Sequence, residues 1–230
     1  MSTETVHPHP SLLSSTVGVG IAVGVIGLLA QDAPVFPYIS LHLLGLAILA
    51  GAVVVLLRHD YRFLGTIGVT SGILLALLPA GLLVIHGHHE YVLLVAIPGM
   101  IGALVMAIGL LPVHRAGSRL LLKAGTGIIF LAVLAAGVVQ VPTRPILLAG
   151  IGTIVAWDAG EQAINIGEQL GSNARTASIE LIHVGATLAV GGIGLALVVL
   201  LGRTSPSDLS LVQFVAVLGV LVLLTLALHE

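Results

Sequence analysis

Cysteine is absent from the 230 residues. Disulfides, thiolate metal sites and cysteine nucleophiles are therefore excluded, and any metal would have to be held by histidine and carboxylate. Charged residues make up 8% of the chain, and its eight basic residues are too few to build a patch that grips nucleic acid. No nucleic-acid partner is expected. Aromatic residues are scarce at 3%, with one tryptophan, so no aromatic belt marks the edges of the apolar segments. Walker loops, nucleophile elbows, zinc-protease helices and dinucleotide fingerprints are all missing. No cofactor is indicated, and a non-enzymatic role is the expectation.

What is present is apolar. Hydrophobic residues account for 57% of the chain and glycines number 29, more apolar surface than a water-soluble core can absorb. The expected fold is an all-α polytopic bundle whose first partner is the lipid bilayer. A bilayer core needs about 20 apolar residues per helix. Runs of that kind lie at 12–31, 39–57, 64–85, 91–111, 119–140, 146–168, 178–201 and 209–228, so about eight spans fill residues 1–230 as one membrane domain. The segment before the first run, MSTETVHPHPS, has no Lys or Arg, unlike the positive start of a secretory signal, and the run reads as a retained span.

Cytoplasmic loops collect Lys and Arg. With both termini inside, the inner connections carry Arg58, Arg62, Arg115, Arg119, Lys123 and Arg175, and the outer ones Arg144 and Arg203. The bias favours N-in and C-in. On this view the charges of HDYRF and HRAGSR, Arg119 among them, are topogenic and face lipid. Close helix packing in lipid relies on small residues, for which Gly20-x-x-x-Gly24 and Gly191–Gly194 are candidates.

One stretch breaks the pattern. WDAGEQAINIGEQLGSNARTASIELIH, residues 157–183, gathers four carboxylates, several amides, an arginine and a histidine. At about 100° per residue, Asp158, Glu161, Gln162, Asn165, Glu168 and Gln169 share an arc of roughly 120° on the sixth span. Ala159, Ala163 and Gly167 form a small-residue ridge on the other side. On the seventh span Glu180, His183 and Thr187 again share a face. The two polar faces are expected to meet as one internal set: Asp158, Glu161, Asn165, Glu168, Glu180 and His183, with Arg175 over the cytoplasmic mouth. An ionised acid at the centre of a membrane helix costs about 2.5–3.5 kcal/mol, so such a set marks a site by default.

Three chemistries could use it. The acids can be neutralised by Arg175 and His183 and fix helix packing. Stacked carboxylates and an imidazole can pass protons or hold a cation. Glu180-x-x-His183 has the spacing of di-iron carboxylate helices, which makes Glu161, Glu180 and His183 candidate metal ligands. That pattern wants a second Glu-x-x-His on a facing helix, and none of the other apolar runs carries one. His86, His88 and His89, in HGHHE, could bind Zn or Cu but read more simply as a hydrophilic turn. His42, inside the second span, reads as donor of one hydrogen bond within the bundle.

The run Trp157-Asp158-x-Gly160-Glu161, then Gly167-Glu168-Gln169-Leu170-Gly171, Arg175-Thr176, Glu180 and His183, resembles the signature of an uncharacterised family of multi-pass membrane proteins of halophilic archaea. Genes of that family stand beside those for a MoxR-type AAA ATPase and its partners. The resemblance covers the C-terminal third of the chain. It implies a membrane component with protein partners, and no particular activity.

Overall fold

The computed structural model describes residues 10–30, 35–58, 62–86, 91–111, 118–170 and 177–201, and among them every regular element is a helix. There are seven: α1 (Leu12–Leu29), α2 (Phe36–Arg58), α3 (Arg62–His86), α4 (a π-helical turn Val92–Ala96 continuing as Ile97–Leu110), α5 (Ser118–Val138), α6 (Thr143–Leu170) and α7 (Ala177–Leu201). The first seven apolar runs of the sequence thus fold as helices, with ends within about a turn of those expected. The eighth run, 209–228, lies outside the described residues. Six helices are long and apolar enough to cross a membrane, which marks a multi-pass membrane protein. The exception is α6, the longest at 28 residues, whose acids and amides lower its hydropathy.

Local chemistry explains the helix ends. Ser11 caps α1, its Oγ accepting from the Ser14 amide. At the far end of α5, Gln140 takes a left-handed conformation with φ 61°. The Gln140 amide then donates to Gly137 O and the Val141 amide to Ala136 O, closing the last turn before Pro142 ends the helix. Pro145 falls in the first turn of α6, where a missing amide hydrogen costs nothing. Pro79 is different, since it lies inside α3.

Close approaches between neighbouring helices fix their register. Gly45 lies against Ala76, Gly72 against Leu49 and Gly68 against Ala52, so α2 and α3 form an antiparallel hairpin. The backbones of Gly102 and Gly125 touch, and Gly109 meets Ser118, which makes α4 and α5 antiparallel too. Gly18 sits on Ala156 and Gly160, Gly152 on Val25, and the Ser11 amide donates to Ala163 O at 2.9 Å, so α6 runs antiparallel to α1. Ala22, Ile26, Met100, Met106, Leu122 and Ile129 are buried where α1, α4 and α5 meet. The small-residue seam of α6 is real, with Ala159 and Ala163 fully buried. On α1 the contact with this seam is made by Gly18, while the candidate pair Gly20 and Gly24 meets nothing among the described residues. On α7, Gly192 and Gly194 likewise meet nothing among the described residues.

Residues 1–188 pack as one unit and 189–230 group as a second, whose described part, 189–201, is helical. Within the first unit the N-termini of α1 and α5 and the C-terminal half of α6 share one end of the bundle. The Ser11–Ala163 contact sets the level of that end. Asp158, five residues before Ala163, lies about 8 Å further into the bundle, and Glu168 about 8 Å outside it.

Candidate functional site

Arg119, the second residue of α5, faces the C-terminal half of α6. Its Nη1 donates to Glu161 Oε2 at 2.7 Å, while Nη2 donates to Asn165 Oδ1 and to Glu168 Oε2, both at 2.8 Å. The three acceptors stand at i, i+4 and i+7, one stripe of α6, and a planar guanidinium can serve all of them at once. The inner pair is the better shielded, Glu161 being 18% exposed against 53% for Glu168. Arg119 therefore does not stand as a lone topogenic charge facing lipid, as the sequence suggested. It is the cation to which Glu161 and Glu168 of α6 are tied. The antiparallel order of α5 and α6 puts any arginine at the start of one beside the end of the other, and that was the signal available.

Glu180, in the first turn of α7, is 2% exposed. Its Oε2 accepts from Ser11 Oγ at 2.5 Å, Ser14 Oγ at 2.6 Å and the Ser14 amide at 2.9 Å. Ser11 is the N-cap of α1, so the carboxylate sits at the positive end of that helix and satisfies donors that no intrahelical acceptor reaches. Sequence reasoning placed Glu180 with the acids of α6. In the folded chain it turns to α1, whose two serines carried no motif to reveal them.

Among the described residues, Asp158 is the acid of α6 that meets His183 and Thr187 of α7. Its Oδ2 accepts from Thr187 Oγ at 2.6 Å, and His183 Nε2 stands 2.9 Å from the same oxygen. The second is a close approach and not a directed hydrogen bond, because the buried Nε2 has no partner in hydrogen-bonding geometry. His183 is half-exposed. With Glu180 and the buried Val184, His183 and Thr187 complete an i, i+3, i+4, i+7 face, and the flanking Leu181, Ile182 and Leu188 point outward.

The polar arc of α6 is thus divided by angle. Glu161, Asn165 and Glu168, at about 280° to 340° from Asp158, belong to α5, and Asp158 at zero belongs to α7. The single converging set expected from the sequence resolves into three: Arg119 with α6, Glu180 with α1, and Asp158 with His183 and Thr187. Arg175 lies outside the described residues. Glu161, Glu180 and His183, the candidate metal ligands, turn to different partners, and among the described residues no three His, Asp or Glu side chains are grouped so as to hold an ion. His86 is the last residue of α3, its ring Nδ1 bonded to Leu82 O at 2.9 Å, and His88 and His89 lie outside the described residues. His42 donates one hydrogen bond within the bundle, to Ala76 O at 2.8 Å, as expected.

No curated protein and no solved structure is matched by the chain. Residues 69–225, well over half of the sequence and including every acid of the α6 stripe, match a family of unknown function, DUF7519, and the chain belongs to that family.

Proposed function

We propose that this protein is a non-enzymatic accessory or scaffold subunit of a membrane assembly, seated in the cell membrane with both termini cytoplasmic. The observation that carries the reading is the commitment of the acids to donors of the same chain, above all the three bonds from Arg119 to Glu161, Asn165 and Glu168. Carboxylates tied in this way join helices, and polar groups of this kind can specify a unique packing where lipid gives no hydrophobic reward. The resemblance to the halophilic archaeal proteins would make a MoxR-type ATPase system the assembly served. Separation of native membranes under mild detergent tests the idea. The parent chain should migrate in a complex larger than itself, and Arg119→Gln should reduce that complex while the chain is still inserted. A parent that migrates alone would remove the proposal.

A second reading, proton- or cation-coupled transport, is favoured by the contact of Asp158 with the half-exposed His183. Asp158→Asn should then abolish pH- or ion-driven flux in proteoliposomes. Flux equal to the parent's, or no flux in the parent, would exclude it.

A further inference from the structure

His42 is the most deeply buried ionisable side chain of α2, at 1% exposure. Its Nδ1 lies 2.8 Å from Ala76 O on α3. A carbonyl oxygen can only accept, so the hydrogen is on Nδ1, and in the neutral ring Nε2 carries a lone pair. Among the described residues no group donates to that nitrogen, although it is fully buried. An orphaned acceptor in a low-dielectric interior is costly, and in folded proteins such groups are met by protein or by ordered water.

A second orphan lies on the facing helix. Pro79 sits inside α3 and has no amide hydrogen, so the carbonyl four residues earlier, that of Leu75, loses its usual helical donor. The Leu75 carbonyl carbon is also at the α2 seam, since a Cβ on Gly45 would stand 2.8 Å from it. Gly45 and His42 are three residues apart on one face of α2, and the Ala76 carbonyl held by His42 is the next one along α3. A ring nitrogen without a donor and a carbonyl deprived of its helical donor therefore lie within about one turn of each other along the α2–α3 seam. Proline is tolerated in membrane helices where a side chain or an ordered water answers the freed carbonyl.

We propose that a single water molecule is held between α2 and α3, donating one hydrogen to His42 Nε2 and the other to the Leu75 carbonyl. Water is the small ligand that carries two donors and adds no charge to an apolar seam, and two partners are what an internal water requires. The Pro79 break is then a hydrated joint in α3, closed by His42 from one side and by the water from the other.

Solid-state NMR of lipid-reconstituted protein labelled with 15N-histidine tests this. Polarisation transferred from water should reach the His42 ring, assigned as the signal missing in His42→Phe, and its Nε2 should resonate as an unprotonated, hydrogen-bonded nitrogen. Pro79→Ala returns a donor to Leu75, so the transfer should fall to roughly half or less while circular dichroism shows the helices retained. No water transfer to His42 in the parent, a hydrogen on Nε2, or equal transfer in a folded Pro79→Ala would each overturn the proposal. The parent spectrum decides by itself if the proline variant does not fold.

Discussion

Arg119 and Glu161 lie 2.7 Å apart, across the seam of α5 and α6 and 42 residues apart in the chain. The arginine is 43% exposed and also serves Glu168, so this is a joint at the rim of the bundle and not a deeply buried pair. Rim charges contribute less than buried ones because water and salt screen them. The partly shielded Glu161 and Asn165 are what raise the cost of losing the cation.

Replacement of Arg119 by Gln should therefore lower stability in detergent by about 1–2 kcal/mol, most of it from acceptors left without donors. Arg119→Lys should fall between parent and Gln, since an ammonium keeps the charge but not the fork that spans Glu161, Asn165 and Glu168. Thermal melts at low and high salt check both parts. The deficit of Arg119→Gln should shrink as salt rises, and a variant as stable as the parent at low salt would show that the contact holds nothing.

Glu180 belongs to the opposite regime. It is buried, and three donors at the start of α1 converge on one of its oxygens. Glu180→Ala should cost about 2–4 kcal/mol, because hydrogen bonds to a charged group are the stronger kind and the donors of Ser11 and Ser14 would lose their shared acceptor. Glu180→Gln keeps an acceptor oxygen and should recover part of the loss. Amide exchange offers a local readout: the first turn of α1 should exchange faster in Glu180→Ala, with α2 and α3 unchanged. Equal exchange at Ser14 in parent and variant would contradict the capping role.

These two joints were legible in the sequence to different degrees. The helices were plain, because runs of about 20 apolar residues have few alternatives in a bilayer. The stripe on α6 was plain too, since side chains on a helix declare their face by spacing alone. The partners were not. Ser11 and Ser14 lie 169 and 166 residues from Glu180, and nothing in a serine near a chain start announces a distant carboxylate. Arg119 was visible but was assigned to topology, for which its position serves equally well. Glycine spacing misled for a related reason: Gly20 and Gly24 have the motif, but contact is decided by how α1 is rotated against α6, and Gly18 is the residue turned inward.

The face of α7 that meets the bundle gives a probe of Asp158. Val184 is 7% exposed and lies on the same face as His183 and Thr187. Because the chain has no cysteine, Val184→Cys would carry the only thiol. That thiol should be protected in the parent background and react several-fold faster once Thr187→Val or Asp158→Ala removes the 2.6 Å bond between α6 and α7. Unchanged protection in both variants would mean that α7 is held by Glu180 alone.

Glycine substitutions separate helix packing from helix propensity. At Gly72 a Cβ would stand 2.6–2.9 Å from the backbone and Cβ of Leu49, atoms that cannot move without parting α2 from α3. Gly72→Ala should destabilise by about 1–3 kcal/mol, the range for overfilling a tight contact. At Gly20 a methyl group meets nothing within 4 Å, so Gly20→Ala should be neutral or stabilising, by up to about 1 kcal/mol, through the lower entropy cost of alanine in a helix. Thermal melts of the two variants in one detergent form the comparison. The contrast between them is the quantity of interest, since both changes add the same methyl to an apolar helix. Equal effects would mean that the α2–α3 seam is looser than its register implies. A large loss at Gly20 would instead mean that this face of α1 is covered by something beyond the described residues, a second protein or another part of this chain, and a cross-link from Gly20→Cys would tell the two apart.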